Sequence, residues 1–413
     1  MRSIVVTRFR PDRPMGGAAL RNWQNINGLA RLGPVDVVSV GLPADETRPA
    51  PVVRAWRHFP YGTRPFATRM AAKLWRWRPN GHPHIDGYWH PGAAATIRAG
   101  GPYDCGVVEE LSLARYAGPL RAACKTLVFD AHNVEAELRA AMSASETLID
   151  RRTREAEAAI IGACDLVWAC SETDAADIRR RYQPAAPVHA VPNGIRLEDY
   201  APPSGARRAV ESGNPVSKPV SLLYAGTYSY PPNEDAALRL IRDVAPALRA
   251  RGVEAEIVLA GRKPTAAMRE AASRAPGVTV TGETPSIVPY FHAADVVMAP
   301  IALGSGTRLK LVEAFAARVP VVTTAKGAEG LDAEPGVHAL FAETPEETAG
   351  AVARLAGDPA LRDRLTGAAY ALAQAAYSWD VAARLIAESL GVAPADARPD
   401  PGAPSAAHAP GAA

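Results

Sequence analysis

The chain has 413 residues, more than one hydrophobic core usually supports (about 250–300 residues), so two domains are expected. Its 48% apolar and 22% charged residues exclude a disordered or fibrous chain. A net charge of +3 gives no general reason to expect nucleic acid, although it leaves room for a local basic patch.

The opening MRSIVVTRFR enters a strand pattern at once and lacks the apolar run and cleavage site of a signal peptide. No run reaches the roughly 18 uninterrupted apolar residues of a membrane span. A soluble, cytoplasmic protein is therefore expected. Cys105, Cys124, Cys164 and Cys170 show no C-x-x-C or metal-type spacing, so free thiols in a reducing compartment are expected.

Short apolar runs alternate with helical patterns. Ser3 to Val6 reads as a strand, Ala18 to Leu32 as a helix with Leu20, Trp23 and Ile26 at helical spacing, and Val35 to Val40 as a strand. Further strand-like runs are Val107-Val108, Leu127 to Phe129 and Leu166 to Trp168. Residues 202–219 then turn rich in Pro, Ser, Gly and Ala, which reads as a linker. The alternation restarts with Val220 to Ala225, Glu256 to Ala260, Val278 to Thr281, Asp295 to Ala299 and Pro320 to Thr323. Strands alternating with helices predict parallel sheets covered on both faces, hence two doubly wound α/β domains. The expected division is 1–200, a linker 201–219, 220–377, a last helix 378–393 and a tail 394–413 of Ala, Pro, Gly and Asp that is too poor in apolar residues to fold.

In open α/β sheets, ligands bind beyond the carboxyl ends of the strands. The richest such loop runs from Ala299 through Gly304, Ser305, Gly306, Thr307 and Arg308 to Lys310. Two glycines let backbone approach a ligand, and the helix that follows offers unpaired N–H groups to an anion. Arg308 and Lys310 add charge-assisted bonds suited to phosphate. Glu313, one helical turn after Lys310, would repel phosphate but can accept from ribose hydroxyls. Arg262 and Lys263 follow another strand of the same half. Alone, either loop also reads as a turn with solvated charge; together they suggest a diphosphate held by several cations.

In the first half, Gly16-Gly17 lies in a loop grouped with Arg10, Arg13 and Arg21 that reads equally as a plain turn or a ligand loop, and Asp130-Ala131-His132-Asn133 forms a polar cluster at a strand end, a site candidate whose His also reads as structural. Pro192-Asn193-Gly194 reads as a plain turn. Residues 48–78 carry eight Lys or Arg and no acid, with six aromatic residues interleaved. Phe66, Met70, Leu74 and Trp77 fall on one stripe with Arg69, Lys73 and Arg76 beside it. Two readings stand: peripheral contact with an anionic membrane, or a helix packed on its own domain with a solvated basic edge. Trp75, off the stripe, favours the second.

Gly304 to Phe315, followed by Val319 to Thr324, resembles the signature of the glycosyltransferases group 1, the retaining enzymes of glycosyltransferase family four. Gly226 with Pro232-Asn233-Glu234-Asp235, Ala293 to Pro300, Val191 to Ile195 and Ser378-Trp379-Asp380 agree in order and spacing over nearly the whole chain. The resemblance implies the GT-B fold, two Rossmann-like domains facing each other across a cleft, with a C-terminal helix returning to the N-terminal domain. It implies transfer of a sugar from a nucleotide-diphosphate donor to an acceptor hydroxyl with retention, in polysaccharide or glycan assembly. The expected partners are the donor and a glycan or lipid-linked acceptor, with no nucleic acid, and the location is cytoplasmic or peripheral on the inner membrane face.

By the same resemblance Glu313 would bind the ribose, Gly304 to Thr307 would hold the diphosphate and Thr284 would meet the base. His132 would lie near the reacting sugar, and Gly17 would face donor or acceptor. Ser305 stands where many relatives carry an acid, and Gly226 to Tyr230 lacks the family's Arg and Lys. Arg308, Lys310, Arg262 or Lys263 is expected to compensate. No D-x-D motif is present, so neither metal nor other cofactor is expected, and fixed cations would stabilise the leaving group. A nucleotide-sugar 2-epimerase using Glu109, Glu110, Asp130 and His132, and a non-catalytic sugar-nucleotide-binding protein, are the competing readings.

Overall fold

The computed structural model describes residues 1–10, 17–41, 52–142, 145–201, 219–303 and 308–393. Two compact units emerge. The first takes residues 1–193 together with the segment that begins at Trp379; the second begins at Gly194 and ends at Ser378.

The first unit is built on a seven-stranded sheet. Its strands are β1 (Ser3–Thr7), β2 (Val35–Val40), β3 (Val53–Phe59), β4 (Tyr103–Glu109), β5 (Cys124–Ala131), β6 (Leu166–Ala169) and β7 (Val188–Ala190). The order is β3-β2-β1-β4-β5-β6-β7, with every pairing parallel. This is the doubly wound order, with its reversal between β1 and β4. β1 and β2 are buried along their whole length, because helices cover both faces. Successive side chains take opposite faces: Ile4 and Val6 enter one core, while Val5 enters the other with Trp23, Ile26 and Trp168.

Helix α1 (Gly17–Leu32) packs along the closing helix Trp379–Ser389. Trp379, Ala382, Ile386 and Ala387 enter the Trp23 core, and Trp168 Nε1 donates to Ser389 Oγ at 2.9 Å. The C-terminal helix thus returns to the N-terminal domain, as expected.

The second unit repeats the pattern with β8 (Val220–Ala225), β9 (Ala255–Ala260), β10 (Val278–Gly282), β11 (Val296–Ala299), β12 (Val321–Thr323) and β13 (Leu340–Phe341). The order is β10-β9-β8-β11-β12-β13, all parallel, reversing between β8 and β11.

Three strands were not foreseen. β3, β7 and β13 all lie at sheet edges. β3 exposes Arg54 and Arg57, charges that blunt an edge and mask the strand pattern. The rest of the basic-aromatic run forms α2 (Phe66–Lys73), lying against α3 (Pro83–Tyr88), and a short 3-10 turn over Trp75–Trp77. As the second reading expected, α2 packs on its own domain with a solvated basic edge; of the apolar stripe, Met70 is half-buried while Phe66, Leu74 and Trp77 are exposed.

The units part between Asn193 and Gly194. Ile195 N donates to Tyr377 O at 2.9 Å, and a side chain at Gly194 would meet that carbonyl. Of the predicted linker only 201 and 219 are described, and the predicted tail from 394 lies outside the described residues. The four cysteines are free, and no described helix is long and apolar enough to cross a membrane.

Candidate functional site

Each sheet places polar groups at the carboxyl ends of the strands flanking its reversal. In the first unit these are Glu109, the last residue of β4, with Glu110 after it, and Asp130 near the end of β5 with His132 just beyond. α1 faces them with Arg21 and Asn25, both buried. Arg21 therefore lies inside α1 rather than in a loop. Its Nε donates to Asp130 Oδ2 at 2.8 Å, and its Nη2 donates to Oδ1. Nη1 donates to Val191 O at 2.8 Å and to Asn193 Oδ1 at 2.7 Å, so the predicted turn also anchors this arginine. Asn25 Nδ2 donates to Asp130 Oδ2 at 2.9 Å and to Glu109 Oε1 at 3.2 Å.

His132 Nε2 lies 3.1 Å from both Glu109 Oε2 and Asp130 Oδ2. Burial opposes charge on this imidazole, but the hydrogen bonds to Asp130 and Glu109 outweigh it, and its pKa is raised to about 9. Burial, and then the Asp130 charge, push the Glu109 carboxyl upward. Asp130 is also buried, but Arg21 and His132 hold it well below the carboxylate range. Glu109, Asp130 and His132 bring ligand atoms within 4.8 Å of one another, as a metal site would. Both Asp130 oxygens, however, already accept from Arg21, whose fixed charge takes the place a cation would fill.

Glu110 has φ 66° and ψ 157°, a region almost reserved for glycine. Such strain, of order 1–3 kcal/mol, persists where surrounding contacts enforce it. Here Arg8 pairs with Glu110 Oε1 and Ser112 Oγ donates to it at 2.6 Å. Glu110 Oε2 then lies 3.8 Å from His132 Nδ1, which has no hydrogen-bond partner among the described residues. Gly17 opens α1 and is exposed.

In the second unit, the turns after β8 and β9 pack backbone to backbone. Gly226 N donates to Ala260 O at 3.0 Å and Tyr228 N to Arg262 O at 2.9 Å. Gly261 has φ 142°, and a Cβ there would sit 1.9 Å from Gly226 O, so only glycine fits. Arg262 is half-buried and Lys263 exposed beyond this contact. The β8 turn that lacks the expected cations instead carries Tyr228, which is fully buried and donates to Tyr224 O at 2.9 Å.

A cation arrives from elsewhere. The helix Leu309–Ala316 follows β11 and directs Lys310 back to the end of β8. Lys310 Nζ donates to Tyr224 Oη at 2.9 Å and Asn233 Oδ1 at 2.8 Å, and lies 4.1 Å from the Tyr224 ring centroid. Burial, reinforced by the charge of Arg308, draws its pKa down to about 7. Arg308 is buried, 8% exposed. One turn on, Glu313 accepts from Tyr200 Oη at 2.6 Å, and burial raises its pKa. Thr284, after β10, donates to Ser286 O at 3.2 Å. Arg262 and Thr284 thus follow β9 and β10, and Lys310 reaches Tyr224 in the neighbouring β8, while Glu313 lies one turn on in the same helix. Gly304, Ser305, Gly306 and Thr307 lie outside the described residues, and His132 belongs to the first unit.

Residues 15–199 match the Glycosyltransferase Family 4 model, and residues 219–358 match that of Glycosyl transferases group 1. The chain belongs to the group 1 glycosyltransferases. No curated protein matches it in sequence. Among solved structures, a sucrose-phosphate synthase from Thermosynechococcus elongatus is 20% identical over 94% of this chain and 98% of its own, with TM-score 0.68. HepE from Anabaena, in complex with UDP and glucose, is 16% identical over 94% and 99%, with TM-score 0.67. An E. coli trehalose-6-phosphate structure bound with UDP-2-fluoro glucose is 15% identical over 95% and 99%, with TM-score 0.62. At these identities the likeness is one of fold, two Rossmann-like domains of the GT-B type.

Several residues of this glycosyltransferase escaped the sequence reading as site residues: Asn25, Tyr200, Tyr224 and Asn233. Asn233 stood in a quoted family motif without a role. Nothing in the sequence pairs Tyr224 or Asn233 with Lys310, which lies 86 and 77 positions away. The buried polar residues of α1 were hidden because that helix is covered all round.

Proposed function

We propose that this glycosyltransferase moves a sugar from a nucleotide-diphosphate donor to an acceptor hydroxyl, with retention, in the assembly of a polysaccharide or other glycan. The observation that carries the reading is Lys310 Nζ, held by Tyr224 and Asn233 at the end of β8. It supplies, from the helix after β11, the cation that the β8 turn lacks. Beside it, the N-terminus of that helix favours a diphosphate. Glu313 is the ribose acceptor and Thr284 the contact to the base; Arg308 and Arg262 or Lys263 add charge. The UDP and UDP-sugar of the neighbouring structures support a donor of this class.

As the anomeric bond to the diphosphate breaks, negative charge develops on the leaving group. Fixed positive charge and helix N–H groups stabilise it without reorganising, so no metal is required. On the first unit, charged His132 donates from Nδ1, and Glu110 Oε2 accepts. A sugar or acceptor hydroxyl held by both would satisfy the buried N–H. The acceptor is a glycan or lipid-linked hydroxyl. Asp130 lends the epimerase reading no support, because it is committed to Arg21.

The test is a binding and hydrolysis screen with UDP-, GDP- and ADP-sugars in the presence of EDTA. One donor should stabilise the wild type and slowly release free nucleoside diphosphate. Glu313→Ala should weaken that donor at least tenfold, since a hydrogen bond to a charged group contributes about 1.5–3 kcal/mol. Epimerisation with the nucleotide still attached, or a strict need for metal, would refute the assignment.

A further inference from the structure

Residues 48–78 carry eight basic residues and no acid, and none of them has a role in the proposed donor or hydroxyl sites. The helix in this segment, α2, is turned outward. At 3.6 residues per turn, Thr68, Ala71 and Ala72 share one face, while Phe66, Met70 and Leu74 share the opposite face with Arg69 and Lys73 at its border. The small face is half-buried toward α3. On the other side Phe66 is 69% exposed, Leu74 47%, and Trp77, just past the helix, 86%. Packing within the first unit would favour the reverse. Arg69, Lys73 and Arg76 are also exposed and form no ion pair among the described residues.

Large apolar side chains set among cations without ion pairs, Arg76 lying over the Trp75 ring, mark a surface shaped for a partner. The partner's chemistry follows from the arrangement. It must offer negative charge at its surface and apolar volume directly beneath. A bilayer with anionic headgroups has that layering, and Trp, Phe and Leu bordered by Lys and Arg are the side chains that settle there. An acidic protein would satisfy the cations but would leave three large apolar groups without a pocket.

We propose that this face docks on an anionic lipid bilayer. Phe66, Leu74 and Trp77 sit at the boundary between headgroups and acyl chains, and Arg69, Lys73 and Arg76 meet the lipid phosphates. The proposal is independent of the transfer reaction, since none of these residues belongs to the donor or hydroxyl sites.

The test is co-sedimentation of the full-length protein with vesicles of phosphatidylglycerol and phosphatidylethanolamine, compared with phosphatidylcholine alone. Three proteins are used: wild type, Phe66→Ser with Trp77→Ser, and Arg69→Glu with Lys73→Glu and Arg76→Glu. All substitutions are at exposed positions, so melting curves and the hydrolysis of soluble donor should be unchanged. Wild type should favour the anionic vesicles at least tenfold. Because each basic residue near such a surface contributes roughly a fivefold factor, the triple reversal should lower partitioning about a hundredfold or more. The double serine variant should lower it at least tenfold at the same salt. Failure of wild type to bind anionic vesicles overturns the proposal and leaves a protein as occupant. Equal binding to neutral vesicles, or full binding by the double serine variant, overturns it as well.

Discussion

Lys310 is the cation proposed to meet the donor diphosphate, and its charge depends on its surroundings. Burial, then the charge of Arg308, bring its pKa to about 7, while Glu313 opposes them. An arriving diphosphate adds negative charge beside the ammonium and raises that pKa again. Below pH 7 the charge is already present, so binding takes up no proton at this site. Above pH 7 it must be restored, so affinity should fall by up to tenfold per pH unit until the pKa of the complex is reached. Titration calorimetry at pH 8.5 in two buffers of different ionisation enthalpy should show proton uptake. Lys310→Arg, which stays charged throughout, should remove both the uptake and the slope. Absence of uptake in wild type would mean that Lys310 does not meet the diphosphate. The lysine itself was legible because it sits in a contiguous signature. Its environment was not, because Tyr224 and Asn233 join it only through the strand order β8-β11.

At the scale of elements, buried strands were readable and edges were not. β1, β2 and β8 are short apolar runs with covered faces, and their boundaries follow from sequence. β3 is half-exposed and charged, and β7 and β13 are too short to show a period. Helix α1 was readable only on its apolar side. Its contact with the closing helix turns on Gly28, where a Cβ would lie 2.8 Å from Ile386 Cδ1 and 3.4 Å from Ala383 Cα. Alanine there asks only the flexible end of Ile386 to move and gains helix propensity. Leucine has no such room. Gly28→Leu should cost about 1–3 kcal/mol, the usual range for overpacking a filled core. Chemical denaturation would measure it, and a wild-type midpoint would show that the two helices part easily.

Across the whole molecule, the closing helix is distant in sequence from the unit it completes. Trp379 and Ile386 are buried with Trp23, Ile26, Trp168 and Val191, and replacing one buried tryptophan by alanine already costs about 3–5 kcal/mol. Against a total domain stability of about 5–15 kcal/mol, loss of the entire helix should unfold the first unit or leave it barely folded. The second unit should respond differently, because Tyr200, Tyr224, Asn233, Lys310 and Glu313 all lie between Gly194 and Ser378. A chain truncated after Ser378 should therefore lose hydrogen-exchange protection in β1, β2 and β4 while keeping it in β8 and β11. It should still bind the nucleoside diphosphate but fail to transfer sugar, since His132 and Glu110 depend on the lost unit. Loss of protection in both sheets together would show that the second unit needs the first to fold. In that case the donor site would be a property of the entire chain rather than of its second half.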